Sequence, residues 1–217
     1  MNQLDRREKE KEQRRKILID AAERVIFNKG IENATMDEIA EEAEFSKGTL
    51  YYYFNNKKDL YLAINNRGLT ILNERFAAVL AENLPGIELV KRLGEEYINF
   101  VRDYPDYFHA FLYHENADPD EENATPLAKT CAQQGKRAHA YAVRALQIGM
   151  QDGSITDQYD PAVLALQLWG GIRGITQLYY LRSQGQYDSI LGDLDIDRDN
   201  LVYDFIDLII NGLNNGT

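Results

Sequence analysis

The chain has little of what most extracellular, membrane or fibrous proteins need. Of its 217 residues one is cysteine, Cys131. That excludes an intramolecular disulfide and fits a reducing compartment. No apolar stretch approaches the roughly 18 residues required to cross a bilayer, and the N-terminus is charged with no apolar leader segment. A cytoplasmic protein with no membrane partner is expected. The five prolines, at 85, 105, 119, 126 and 161, each fall where a helix can begin or a loop can run. No alternation of apolar and polar residues persists for six positions, so nothing predicts a strand. Histidine is scarce: His109, His114 and His139 lack metal-ligand spacing. "DLDIDRDN", from Asp193, echoes a calcium loop, but Arg198 stands where the turn needs glycine and no glutamate closes it. There is no glycine-rich phosphate loop, nucleophile elbow or paired catalytic carboxylate. No enzymatic activity, metal or cofactor is expected.

What is present is acid. The formal net charge is −11, but it is spread unevenly. Residues 1–59 hold 12 Lys+Arg against 13 Asp+Glu, and residues 60–217 hold 12 against 22. The N-terminal quarter is nearly neutral, with bases clustered at Arg14, Arg15 and Lys16 and again at Lys47, Lys57 and Lys58. A local basic face matters more to a polyanion than the total charge does.

Apolar residues recur at helical spacing almost throughout, which predicts an all-α fold. The first helix runs from about residue 10 to Lys29, with Ile17, Ala21, Ala22, Val25 and Ile26 on one face and Gly30 as its stop. Thr35 and Glu38 form a T-x-x-E capping box for a short second helix. Glu44 and Phe45 make a tight turn, and Ser46 caps a third helix over 47–54. Three helices with that turn compose a helix-turn-helix unit. Further helices are expected at about 57–82, 87–103, 105–114, 126–153, 161–183 and 198–213. An acidic loop, "ENADPDEENA", separates the helices at 105–114 and 126–153, and a connection, "GQYDSILGDLDID", separates those at 161–183 and 198–213.

Winding residues 47–54 at about 100° per residue places Leu50 and Phe54 on one side. Gly48, Thr49 and Tyr52 fall opposite, with Lys47 and Tyr53 at the flanks and Tyr51 nearer the buried edge. Burying Leu50 and Phe54 therefore exposes a face suited to DNA. Gly48 permits close approach, Thr49 can meet a base edge or a thymine methyl, and tyrosine hydroxyls reach phosphates. Lys57 opens the next helix, ready for a phosphate. Tyr51 is read either as packing or as a contact. The run "DRREKEKEQRRK" has i,i+4 Glu/Arg and Glu/Lys pairs that mark a solvated helix face. Its alternative role is DNA contact, with Arg14 and Arg15 as the preferred pair, and the arm is expected to order only on DNA.

Residues 17–64, "ILIDAAERVIFNKGIENATMDEIAEEAEFSKGTLYYYFNNKKDLYLAI", resemble the DNA-binding region of TetR-family transcriptional regulators. The resemblance is carried by Ala21-Ala22, Phe27, Gly30, Thr35, Ile39-Ala40, Ala43, Ser46, Gly48, Leu50-Tyr51-Tyr52, Phe54, Lys57 and Leu60. It implies DNA contacts at Thr35, Lys47, Thr49, Tyr51, Tyr52, Tyr53 and Lys57, with Tyr53 standing where the family frequently has histidine. It also implies an N-terminal domain over 1–56 that binds a double-stranded palindromic operator. Residues 57–217 would form a larger helical domain that binds a small-molecule effector and makes a homodimer. The expected function is a ligand-released repressor. A ligand-independent regulator or activator, and a helical small-molecule carrier, are the alternatives.

In the C-terminal two-thirds, Tyr97, Phe100, Tyr104, Tyr107, Phe108, Phe111 and Tyr113 place seven aromatics in seventeen positions. They are read as an aromatic-lined cavity or as ordinary core. Helix 161–183 is apolar nearly all round and carries Trp169, with Arg173 and Gln177 interrupting it. Arg173 there needs a partner, either a ligand carboxylate or an acid of this subunit or of a second one. Helices 161–183 and 198–213 are expected to form the dimer interface.

Overall fold

The computed structural model describes residues 3–115, 125–183 and 198–213. The acidic loop, the 184–197 connection and most of the calcium-like stretch lie outside them. The described residues form helices α1 (Gln3–Lys29), α2 (Met36–Glu42), α3 (Lys47–Tyr53), α4 (Lys57–Leu80), α5 (Gly86–Asp103), α6 (Pro105–Glu115), α7 (Pro126–Asp152), α8 (Pro161–Ser183) and α9 (Arg198–Leu213), with no strand among them. The all-α expectation holds. None of these helices is long and apolar enough to cross a membrane.

The boundaries have local causes. Gly30, at φ +78°, ends α1 and donates its N–H to Ile26 O at 2.8 Å. Pro126 and Pro161 are the first helical residues of α7 and α8. Ahead of them, Thr125 Oγ1 accepts from Ala128 N, and Asp160 Oδ1 accepts from Ala162 N and Val163 N. One boundary differs from expectation. The N-terminal helix begins at Gln3, seven residues before the predicted start. Its Glu, Lys, Arg and Gln are good helix formers, and Arg6 donates to Glu10 across one turn at 2.9 Å.

Packing divides the chain into two compact units. The first comprises residues 1–70 and 104–133. Its core is Leu18, Ala21, Ala22, Ile39, Leu50, Phe54, Leu60 and Ile64, all buried. A polar cluster ties α1 to α4 and α6 within this unit. Arg67 Nη1 lies 2.7 Å from both Asp20 Oδ1 and Glu23 Oε2, and the Tyr107 hydroxyl donates to Glu23 Oε1 at 2.8 Å. Burial pushes the Glu23 carboxyl up, against the opposing pull of Tyr107 and Arg67. Cys131 is buried and donates to Leu62 O at 3.3 Å. Burial pushes its thiol up to about 11, which makes it a poor nucleophile near neutral pH.

The second unit comprises residues 71–103 and 134–217. Here α5 meets α7 backbone to backbone at Gly86. A Cβ placed on Gly86 would fall inside the Gly149 backbone and 2.8 Å from Ala145 O. The first N–H groups of α5 are satisfied across that junction, Gly86 N by Asp152 Oδ2 at 2.7 Å and Ile87 N by Ser154 Oγ at 3.1 Å.

The turn between α2 and α3 aims the third helix. Thr35 Oγ1 accepts from Glu38 N at 3.2 Å, and Glu38 Oε2 accepts from Thr35 N at 3.0 Å, which closes the expected capping box. Lys29 and Thr35 together hold the Glu38 carboxyl below its usual range. At the other end of α2, Phe45 N bonds Ala40 O at 3.0 Å and Glu44 N bonds Glu41 O at 2.9 Å. That crossed pair is a Schellman motif, and it places Glu44 at φ +57°, the left-handed region. The Ser46 Oγ then accepts from Thr49 N at 3.2 Å and starts α3.

These geometries set two expectations for stability. Gly86→Ala drives a methyl into a neighbouring backbone that cannot rotate away, and a loss of about 3 kcal/mol or more is expected in chemical denaturation. Glu44→Gly removes the side chain from a left-handed position and is expected to raise stability by up to about 1 kcal/mol. A lower melting temperature for that variant would contradict the strain.

Candidate nucleic-acid interface

The seven residues of α3 are too few to stay helical alone. They are held by the Ser46 cap and by two buried side chains, Leu50 at 0% and Phe54 at 2% exposure. With those turned inward, Tyr52 is left 73% exposed and Tyr51 49% exposed. Tyr51 thus differs from its predicted place near the buried edge. Tyr53 is half-buried against the unit's core and meets Tyr52 edge-on, with centroids 5.1 Å apart. Gly48 is exposed, and only Ser46 Oγ, at 3.9 Å, would approach a Cβ there. Large exposed aromatics on a short helix do little for folding. They form a surface that another molecule can cover.

The polar residues of this face are partly committed. The Thr49 hydroxyl lies 2.9 Å from Ser46 Oγ. The Thr35 hydroxyl donates to Glu38 Oε2 at 3.0 Å, so the cap engages it although the residue is exposed. Lys47 is ion-paired with Asp37. Lys57 Nζ donates to Glu32 O and Ala34 O, both at 2.9 Å, which ties the start of α4 to the loop before α2. Arg14 is exposed, while Arg15 is half-buried with its guanidinium carbon 5.4 Å from the Phe54 ring centroid. The structure therefore brings Gly48, Tyr51 and Tyr52 onto one exposed surface, with the half-buried Thr49 beside them. Thr35, Lys47 and Lys57 surround it, each holding a local partner. Lys11, for which the sequence offered no motif, stands with its ammonium 5.9 Å from the Tyr52 ring centroid. Its signal in the sequence was only its distance of one helical turn from Arg15.

In the second unit, α4, α5, α7, α8 and α9 line a half-open cavity of about 80 Å³. Phe76, Leu93, Tyr97, Trp169, Ile172 and Ile206 are part of its apolar wall, and His139 is the basic side chain in its lining. The Tyr97 and Trp169 rings meet at 5.2 Å between centroids. Of the aromatic run expected to wall one cavity, Tyr97 alone lines it. Phe100 is fully buried in the same unit but is not in the wall. Tyr104, between α5 and α6, and Tyr107, Phe108 and Phe111 on α6 belong to the first unit. There Tyr107 stacks edge-on against Phe27 at 5.6 Å. The side chain of Tyr113 lies outside the described residues. Arg173 and Gln177 are half-buried on α8 and do not line the cavity. Phe76, His139 and Ile206 went unnoticed in the sequence because they come from separate helices, and no local pattern joins them. Among the described residues no group of three His, Cys, Asp or Glu could hold a metal ion.

Comparison with known proteins agrees with this geometry. The family profile "Bacterial regulatory proteins, tetR family" matches residues 18–64, from the buried half of α1 through α3 into α4. The HTH-type transcriptional activator FasR of Mycolicibacterium smegmatis is 32% identical over 91 residues, which is 42% of this chain and 42% of FasR. The likeness thus spans less than half the length of that relative. Among solved structures, the regulator FadR of Bacillus subtilis in complex with stearoyl-CoA superimposes with a TM-score of 0.68 at 19% identity, covering 91% of this chain and 98% of FadR. AibR in complex with isovaleryl coenzyme A and operator DNA gives a TM-score of 0.63 at 21% identity, covering 94% and 99%. At those identities the structures show the fold alone. The capped turn and the exposed α3 face thus lie within residues 18–64, the stretch that matches the TetR family of bacterial regulatory proteins.

Proposed function

We propose that the protein is a ligand-responsive repressor whose N-terminal part, residues 1–56, binds a palindromic DNA operator. Residues 57–217 serve effector binding and dimerisation. The observation that carries this reading is α3 itself. Leu50 and Phe54 are buried while Tyr51 and Tyr52 stand exposed beside Gly48 and Thr49. Seated in a major groove, such a face sets Thr49 and Gly48 against base edges and the tyrosines against the backbone.

Dimerisation is supported by an apolar stripe on α8 and α9. Val163, Leu166 and Leu178 are 56%, 62% and 40% exposed, and Leu208 is 70% exposed. A Cβ added at Gly170, Gly174 or Gly212 would meet nothing within 4 Å, so these positions leave room for a second helix to come close. A twofold interface there would set the two α3 helices against half-sites about 34 Å apart. Effector binding is supported by the apolar cavity of the second unit. At about 80 Å³ it is smaller than the cavity of roughly 150 Å³ that holds benzene, so an effector must displace wall side chains to enter. That requirement couples binding to a change of shape. The effector class is a small apolar or aromatic molecule. FadR and AibR carry acyl-CoA ligands, which makes an acyl chain a natural first candidate. The modest cavity and the activator FasR favour a second reading, a regulator that needs no effector or that activates.

Two experiments test the proposal. Thr49→Ala with Tyr52→Ala is expected to abolish sequence-selective duplex binding in gel-shift or anisotropy titrations while leaving the melting temperature within a few degrees. A carrier protein would lose nothing. Leu166→Glu with Leu208→Glu is expected to convert a dimer to monomers in analytical ultracentrifugation and to weaken operator binding with it. A variant that stays dimeric would remove α8 and α9 from the interface.

A further inference from the structure

The N-terminal turns of α1 carry a feature that the α3 reading does not use. Lys11 Nζ lies 5.9 Å from the Tyr52 ring centroid, and Arg15 Cζ lies 5.4 Å from that of Phe54. These two contacts, one turn apart, fix which side of α1 faces α3. At about 100° per residue, Arg7, Arg14 and Arg15 all fall within about 60° of Lys11. Glu8 is the one acid inside that sector. Glu10 and Glu12 lie about 100° to either side. Glu10 is bonded to Arg6 at 2.9 Å, and Glu12 is 4.0 Å from Arg15. Arg7, Lys11 and Arg14 are exposed and carry no ion pair among the described residues. In a chain of net charge −11, and in a segment rich in glutamate, three exposed cations with no ion pair among the described residues share one stripe with a single acid, Glu8. That stripe adjoins the most exposed tyrosine of α3.

We infer that Arg7 and Lys11 extend the DNA-binding face: the first turns of α1 form a helical rail for the phosphates that flank the half-site read by α3. The inference rests on the reading of α3 as the recognition helix. Lys11 sits at the rim of the α3 face through its contact with Tyr52, and Arg7 follows about 6 Å further along the same side of the helix. An ammonium over an exposed ring keeps its remaining N–H groups for another acceptor. Charge and continuity select the occupant, a duplex backbone already in contact with Tyr52. Such contacts add affinity without reading sequence.

The test uses the full-length chain and a duplex that the wild-type protein enriches from a library of randomised duplexes. Binding is measured from about 50 to about 200 mM salt for wild type, for Arg7→Gln with Lys11→Gln, and for Arg7→Lys with Lys11→Arg, each matched to wild type in far-UV circular dichroism. The glutamine pair is expected to enrich the same sequence with lower affinity. Its plot of log K against log salt should be shallower by about 0.9 for each phosphate left without its cation, roughly 1.8 per subunit. The charge-keeping pair is expected to restore the slope. A glutamine pair with the wild-type slope overturns this inference alone. A wild-type chain that enriches no duplex overturns the α3 reading and this inference with it.

Discussion

The candidate interface depends on two buried side chains. Leu50 and Phe54 insert into the core of the first unit and set the rotation of a helix that has no other means of choosing one. Their burial contributes about 1.5–3 kcal/mol each, more than the Ser46 cap does. Once that rotation is fixed, the exposure of Gly48, Tyr51 and Tyr52 is a geometric consequence. A seven-residue helix cannot hide both of its faces, and the one turned outward carries aromatic rings that make few contacts within the protein. The arrangement gives up local stability in return for a surface with hydrogen-bonding rims and no bulky obstruction at its centre.

The surroundings of α3 are built to hold it still. Capping at both ends of α2, the crossed hydrogen bonds through Glu44, and the Lys57 bonds to Glu32 and Ala34 satisfy backbone groups that a short motif would otherwise leave open. Lys29 with Glu38, Arg24 with Glu42 and Lys47 with Asp37 link α1, α2 and α3 across the surface. Each pair is exposed and of small individual worth. Together they leave few cations near α3 without an acid, which makes Arg7, Lys11 and Arg14, with no ion pair among the described residues, stand out. The acidity of the chain as a whole is no obstacle to a polyanion, because the charge that matters is the charge within a screening length of the phosphates.

The second unit follows a different rule. Its helices approach closely where glycine removes a side chain. Gly86 does so against Gly149, and Gly171 against Phe205, where an added Cβ would lie 2.7 Å from the ring. Between those close approaches the large side chains of five helices leave an apolar gap. A gap lined this way attracts apolar ligands and rejects charge, since a buried ion there would find His139 as the only basic side chain among the lining residues.

Local patterns along the chain were enough to place the helices, their caps and the face of α3. These rest on interactions between residues three or four apart, and such interactions can be counted in the sequence. Thr35 with Glu38, Ser46 with Thr49, and Asp160 with Pro161 all act where the pattern placed them. Glu44 was readable as a turn residue for the same reason. The helix start differed at the N-terminal arm, where α1 begins at Gln3 because its Glu, Lys and Arg are good helix formers. Which aromatics meet was settled by the packing of helices against one another. Tyr97 and Trp169 face a common cavity across 72 residues of chain, while Tyr107, ten residues from Tyr97, turns to α1 to bond Glu23. Pro105 starts a new helix and sends the run after it into a different core. Contacts of that range depend on how helices pack, and no local period records them.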